Sequence, residues 1–160
     1  MEPNNQLDLL MRNGKYQDII ELLEKGSFNT EEDWRLLWHL GWSYYQLEQL
    51  DEARQQFSKA LRLSPENPLC KLLLGAVHLD KKEFEKAEFV LSEALRKKKG
   101  YTFRLCLTLA FMGQGKIEDA EKIHLEAIKL KPNDCERLEA YGDFLSDVGR
   151  EDEWMKRRLN

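Results

Sequence analysis

Residues 34–65, WRLLWHLGWSYYQLEQLDEARQQFSKALRLSP, hold two amphipathic helical patterns joined by a short polar turn. In the first half Trp34, Leu37, Leu40, Gly41 and Tyr44 recur at helical spacing. Ala53, Phe57 and Ala60 do the same in the second half, and Pro65 closes the unit. Residues three and four apart share one face of a helix, so each half presents one apolar stripe. A small residue, Gly41, sits at the point where the two stripes cross.

That unit is copied along the chain. The small residue recurs as Gly41, Gly75, Thr108 and Gly142, at intervals of 34, 33 and 34 residues. The alanine that opens the second helix recurs as Ala53, Ala87 and Ala120, and a later one as Ala60, Ala94 and Ala127. Small side chains at these points let two helix backbones approach closely, so their recurrence is a packing requirement. The pattern Leu40-Gly41-x2-Tyr44, Ala53-x3-Phe57, Pro65 resembles the tetratricopeptide repeat, with Leu37 standing in place of that family's tryptophan. The resemblance implies an all-α solenoid, a right-handed superhelix of helix–turn–helix repeats with one continuous core.

As one domain over 1–160, the chain divides into a degenerate opening hairpin at 1–29, repeats at 34–67, 68–100 and 101–134, and a divergent capping hairpin at 135–160. In the opening hairpin Leu7, Leu10 and Met11 face Ile19, Ile20, Leu22 and Leu23 across the turn Asn13-Gly14. Thr30 with Asp33 forms a weak capping box for the next helix, Asn67-Pro68 a cap with a first-turn proline, and Asn133 or Asp134 a later cap. The copies are imperfect. Lys99 replaces a proline, Thr108 a glycine and His124 a phenylalanine; Trp154 falls where alanine belongs and Arg158 where phenylalanine belongs. A tryptophan cannot fill an alanine notch, so the last hairpin is expected to pack differently, as a polar-faced cap or as a docking end.

Composition narrows the function classes. The 160 residues hold 25 Lys plus Arg against 29 Asp plus Glu, a net charge of −4, which argues against nucleic-acid binding by bulk electrostatics. The basic run Arg96–Lys99 reads as a solvated turn, with contact to an anionic surface as its functional alternative. No window holds the roughly 18 apolar residues of a membrane span, and the acidic N-terminus shows no export leader. The three cysteines, Cys70, Cys106 and Cys135, have no paired spacing and read as reduced thiols of a cytoplasmic protein.

No catalytic or metal-binding set emerges. His39, His78 and His124 fall one per repeat inside packing patterns, and no Cys or His pairs show zinc spacing. Gly113-Gln114-Gly115-Lys116 is an inter-helix turn without the strand that a phosphate-binding loop needs. Neither an enzyme nor a cofactor is expected.

Binding is more legible. In this family the first helix of each pair lines the concave face, which implies that the residues between its packing positions face the groove. These are Arg35, Trp38, Trp42, Tyr45 and Gln46, then Leu69, Leu72, Ala76, Leu79 and Asp80. Thr102, Leu105, Leu109 and Met112 follow, and lastly Glu136, Glu139, Asp143 and Asp147. One wall is aromatic, the middle is aliphatic and the C-terminal end is acidic. Trp38, Trp42 and Tyr45 exceed what the hairpin needs for its own packing, and surplus apolar surface usually marks an interface. The expected partner is a protein or peptide with apolar anchors, with Trp38, Trp42, Tyr45, Leu72, Ala76, Leu79, Leu105, Leu109 and Met112 as contacts and Glu139 and Asp143 at the acidic end. Coverage by the chain itself or by a second copy is the competing expectation. The Lys, Asn and Arg clamp of chaperone-tail adaptors has no counterpart here. A base-per-repeat RNA reader is disfavoured by the aliphatic middle and the acidic end. The function expected is an adaptor, scaffold or chaperone-like protein, with a self-associating scaffold as the alternative.

Overall fold

The computed structural model describes residues 3–26, 28–97 and 100–152. Among them nine helices follow one another: α1 (Pro3–Arg12), α2 (Tyr16–Lys25), α3 (Trp34–Gln46), α4 (Leu50–Leu63), α5 (Pro68–Asp80), α6 (Phe84–Lys97), α7 (Tyr101–Gly113), α8 (Ile117–Leu130) and α9 (Cys135–Asp147). No strand occurs among the described residues. The architecture is an all-α solenoid. Lys99, Trp154 and Arg158 lie outside the described residues.

Local chemistry starts the helices. Asp33 accepts a hydrogen bond from Arg35 N at 2.8 Å, Asn67 from Leu69 N at 3.0 Å and Cys70 N at 3.1 Å, and Asp134 from Arg137 N at 3.3 Å. The cap of α3 is therefore Asp33 alone, not a Thr30–Asp33 box. Thr30 lies in the preceding turn, three residues too early to meet the free N–H groups.

The turns repeat as faithfully as the helices. Each hairpin turns through one residue with positive φ: Gly14 (66°), Glu48 (59°), Lys82 (57°), Gly115 (72°) and Gly149 (73°). These are 34, 34, 33 and 34 residues apart, so the opening pair shares the geometry of the repeats although its first helix lacks their Leu-Gly step. Glu48 and Lys82 hold this left-handed conformation against the steric preference of their Cβ atoms.

Inside each hairpin the small residue meets a large one. A methyl group on Gly41 would sit 2.8 Å from the Phe57 ring, and one on Gly75 would sit 2.6 Å from Leu91. The third hairpin fills the same place with Thr108 and His124, both buried. The larger residue on α7 is matched by a ring smaller than phenylalanine on α8. The cost is polar: Thr108 Oγ1 and Arg104 Nε, one turn apart, are buried without a hydrogen-bond partner.

Between hairpins the first helices touch one another, α3 with α5 and α5 with α7. Each second helix packs between two first helices, α4 against α3 and α5, α6 against α5 and α7, and α8 against α7 and α9. The closer layer is the inner one, made of first helices. Ion pairs clasp the last three turns to the second helix before each: Lys81–Asp51 at 2.8 Å, Lys116–Glu88 at 2.7 Å and Arg150–Glu121 at 2.7 Å. Hydroxyls add to them, with Tyr44 donating to Glu24, and Tyr141 to Glu121 at 2.7 Å.

Two outcomes follow from this packing. Gly41→Ala improves helix propensity by about 1 kcal/mol but drives a methyl into Phe57. Overpacking costs typically ~1–3 kcal/mol, so the urea midpoint should fall with an unchanged slope. Burial also holds the His39 and His124 rings below the ordinary 6.5, against the opposing pull of Asp8 and Asp33 on His39 and of Glu121 on His124. The folded chain then takes up fewer protons than the unfolded chain as the pH drops through 6.5. Stability should therefore decline on acidification from neutrality. Urea midpoints measured across that range should move less in a His124→Asn variant.

Candidate functional site: the face of the first helices

On α3, residues 38, 42 and 45 fall on one stripe, and their rings form a ladder. Trp38 stacks on Trp42 with centroids 6.2 Å apart and planes 10° apart. Trp42 meets Tyr45 at 5.8 Å, and Trp38 sets its edge against His39 at 4.9 Å. All three are half-buried and pack on a core that includes Leu36, Leu40, Leu73 and Val77, together with Leu7 and Ile19 from the opening hairpin. The surplus aromatic surface expected from the sequence is thus partly covered by the ladder itself and by the core beneath it.

Tyr45 ties α3 to α5 by donating to Asp80 Oδ2 at 2.6 Å. Burial first, and then Asp80, push its phenol well above the usual range. Next to the tie is a hollow lined by Tyr45, Gln46, Glu48, Leu50 and Asp80. On α5, Leu72, Ala76 and Leu79 are half-buried, and Leu72 and Leu79 pack against the cluster of Ala87, Leu91, Phe103 and Leu107. On α7, Leu105 and Met112 are half-buried. The open leucines of the face are Leu69, 42% exposed, and Leu109, 55% exposed. On α9, Glu136, Glu139, Asp143 and Asp147 are exposed. The start of α9 is held against the start of α7, where Arg137 lies 5.2 Å over the Tyr101 ring and Tyr101 donates to the Glu136 carbonyl at 3.3 Å.

The apolar residues singled out in the sequence thus lie on three adjacent helices, and the acidic ones on the next. Sequence reasoning missed the contribution of α1. The positive-φ turns give its register: Asp8, Met11 and Arg12 stand 34 residues before Trp42, Tyr45 and Gln46. The Met11 thioether lies against the His39 ring. It also missed two buried cations at the position held by Leu37 in the first repeat. Lys71 sits between Glu66 at 3.6 Å and Glu93 at 3.5 Å, and Arg104 occupies the third hairpin.

The histidines belong to the packing. His78 shares a 2.6 Å contact with Glu83, and that hydrogen bond, helped by Lys86, holds the Glu83 carboxyl down at about 2. Among the described residues no group of three His, Cys, Asp or Glu side chains is placed to hold a metal ion.

A family model described as tetratricopeptide repeat matches residues 34–67. A BBSome complex member, BBS4 of Bos taurus, is 30% identical over 82 residues, which cover 51% of this chain and 16% of that protein. A TPR repeat-containing protein of Methanocaldococcus jannaschii, MJ1428, is 29% identical over 129 residues, 81% of this chain and 22% of that protein. The chain therefore spans about a fifth of the length of these relatives. Among solved structures, MamA 41-end from Desulfovibrio magneticus RS-1 superposes with a TM-score of 0.83 at 20% identity, covering 98% of this chain and 89% of that one. MamA of AMB-1 does so with a TM-score of 0.78 at 20% identity, covering 98% and 93%. At that identity the likeness is one of fold.

The thiols offer a probe of this face. Cys70 is buried, which pushes its thiol up to about 11. Half-buried Cys106, on α7, is raised by burial and by Asp80, and Cys135 is exposed. Iodoacetamide at neutral pH should label Cys135 first, Cys106 slowly and Cys70 last, as read by peptide mass mapping.

Proposed function

We propose that this chain, a tetratricopeptide-repeat protein, is a non-catalytic scaffold that holds an apolar peptide or amphipathic helix along its first-helix face. The observation that carries the reading is the row of aromatic and aliphatic side chains that α3, α5 and α7 share, open at Leu69 and Leu109 and interrupted by Gln46, Asp80 and Thr102. A partner anchor laid on the Trp38–Trp42–Tyr45 ladder gains large apolar contact from rings that stacking has already fixed, so little side-chain freedom is lost on binding. Leu72, Leu79, Leu105, Leu109 and Met112 extend that floor, and Ala76 leaves room for a protruding side chain. This chemistry suits a helix-in-groove or extended-peptide ligand. It does not suit an acidic chaperone tail, for which the groove would need cations.

A reducing compartment such as the cytoplasm fits three free thiols. No described helix is long and apolar enough to cross a membrane. A second reading, self-association through the same face, is favoured by the exposure of Leu69 and Leu109. Sedimentation velocity at rising concentration separates the two: a constant monomer mass eliminates self-association.

Truncating a central aromatic anchor typically costs a complex ~2 kcal/mol or more, about thirtyfold in affinity. Trp42→Ala should therefore weaken partner binding by that order while far-ultraviolet circular dichroism stays unchanged. Affinity capture from the native host, comparing wild type with a Trp38→Ala, Trp42→Ala, Leu72→Asp variant, reads the loss. Equal recovery by both would remove the binding site from this face, and helicity lost in parallel would assign Trp42 to the core.

A further inference from the structure

We propose that the segment bound on this face is cationic as well as apolar, and that its basic end lies against α9. The inference rests on the groove reading above and adds the charge and the direction of the partner.

The argument starts from α9. Glu136, Glu139, Asp143 and Asp147 are spaced so that all four share one stripe of the helix. The stripe is exposed, and none of the four enters an ion pair among the described residues. Glu139 and Asp143, and Asp143 and Asp147, are like charges one turn apart, which weakens an isolated helix. The last turn carries Asp147 and no basic residue, so this charge also opposes the helix dipole. At the hairpin turns three acids do meet cations, Asp51 with Lys81, Glu88 with Lys116 and Glu121 with Arg150. Even within α9, Arg137 turns away from the stripe to Asp134 and to the Ala127 carbonyl. The stripe thus concentrates four like charges that cost helix stability and that a cation would relieve.

The stripe does not stand alone. It takes up the register of the apolar face at the point where that face ends, and Leu109 on the neighbouring helix is open. At the far end of the same face the register carries Asp8 with Arg12, and Arg35 lies 4.0 Å from Asp33, so the charge there is close to balanced. A ligand with basic residues at one end and apolar anchors along its length matches all three zones in one orientation only. Reversed, it would set its cations at that balanced end and leave the four acids of α9 unmatched. An acidic ligand would meet repulsion along α9, as complementary interfaces require for specificity.

Two fluorescent synthetic peptides test this on the full chain. Both carry the same leucine and tryptophan anchors; one ends in a Lys-Arg cluster and the other in a Glu cluster at the same positions. Anisotropy at low salt should show the basic peptide binding at least tenfold tighter, with the ratio shrinking as salt rises. Glu139→Lys with Asp143→Lys should invert the preference, and the milder pair Glu139→Gln with Asp143→Asn should shrink it. Both pairs replace exposed residues, and circular dichroism checks their folding. Equal binding of the two peptides by the wild type, or a preference untouched by both variants, overturns the charge inference and leaves the groove reading standing. Failure of both peptides to bind the wild type overturns both.

Discussion

Everything in this fold depends on how closely two helices of one hairpin can approach, and that distance is set at a single contact. Where α3 crosses α4 the Phe57 ring lies flat on the backbone of Gly41, and where α5 crosses α6 Leu91 lies on Gly75. A side chain at the crossing would hold the helices apart and open the stripes on either side of it. With the crossing closed, Ala53, Ala60, Ala87 and Ala94 all become buried. Each second helix then reaches the next first helix, and the hairpins can stack. Stacking is what gives each hairpin its missing half of a core, since an isolated pair of helices leaves one apolar side of each in water.

Most of this was legible in the sequence because the constraint is periodic. The recurrence of Gly41, Gly75, Thr108 and Gly142 specified the hairpins, Asn67-Pro68 marked the start of one helix, and Asn133 or Asp134 that of another, where the structure has Asp134. The residues that share the first-helix face were also legible, as a register relative to those crossings. Other features were not. The spacing of Trp38, Trp42 and Tyr45 announces their ladder, but the core beneath it, reaching back to Leu7 and Ile19, joins residues that no local pattern pairs. The link from Tyr45 to Asp80 joins residues 35 positions apart whose types do not mark them as partners. Thr30 looked like a cap because its residue type suits one, and Asp33 won because it stands next to the first helical residue. The role of α1 was hidden by its weak pattern, although Gly14 in its turn holds the register openly.

The third hairpin shows how a constraint can be met by other means. Thr108 and His124 exchange volume across the crossing, so the backbones still approach, and α7 and α8 remain regular helices. Volume is conserved while polarity is not, and the seam gains Arg104 Nε and Thr108 Oγ1 as unpaired groups. The neighbouring clasps, Lys116 to Glu88 and Arg150 to Glu121, connect this hairpin to those before and after it. They lie at the turn edge and are partly solvated, so each adds modest stability. Their regular placement does more for register than for strength.

A stack of this kind behaves as a spring, and the unpaired polar atoms buried between α7 and α8 make that seam one place where it would yield. The aromatic ladder lies on one side of it and the acidic stripe of α9 on the other. Thermal bending at the seam would change the separation between the two zones more than it changes either zone. A long ligand that touches both would stiffen the whole protein, whereas a short one seated on the ladder alone would leave the far end swinging. Ligand length would then be read as rigidity.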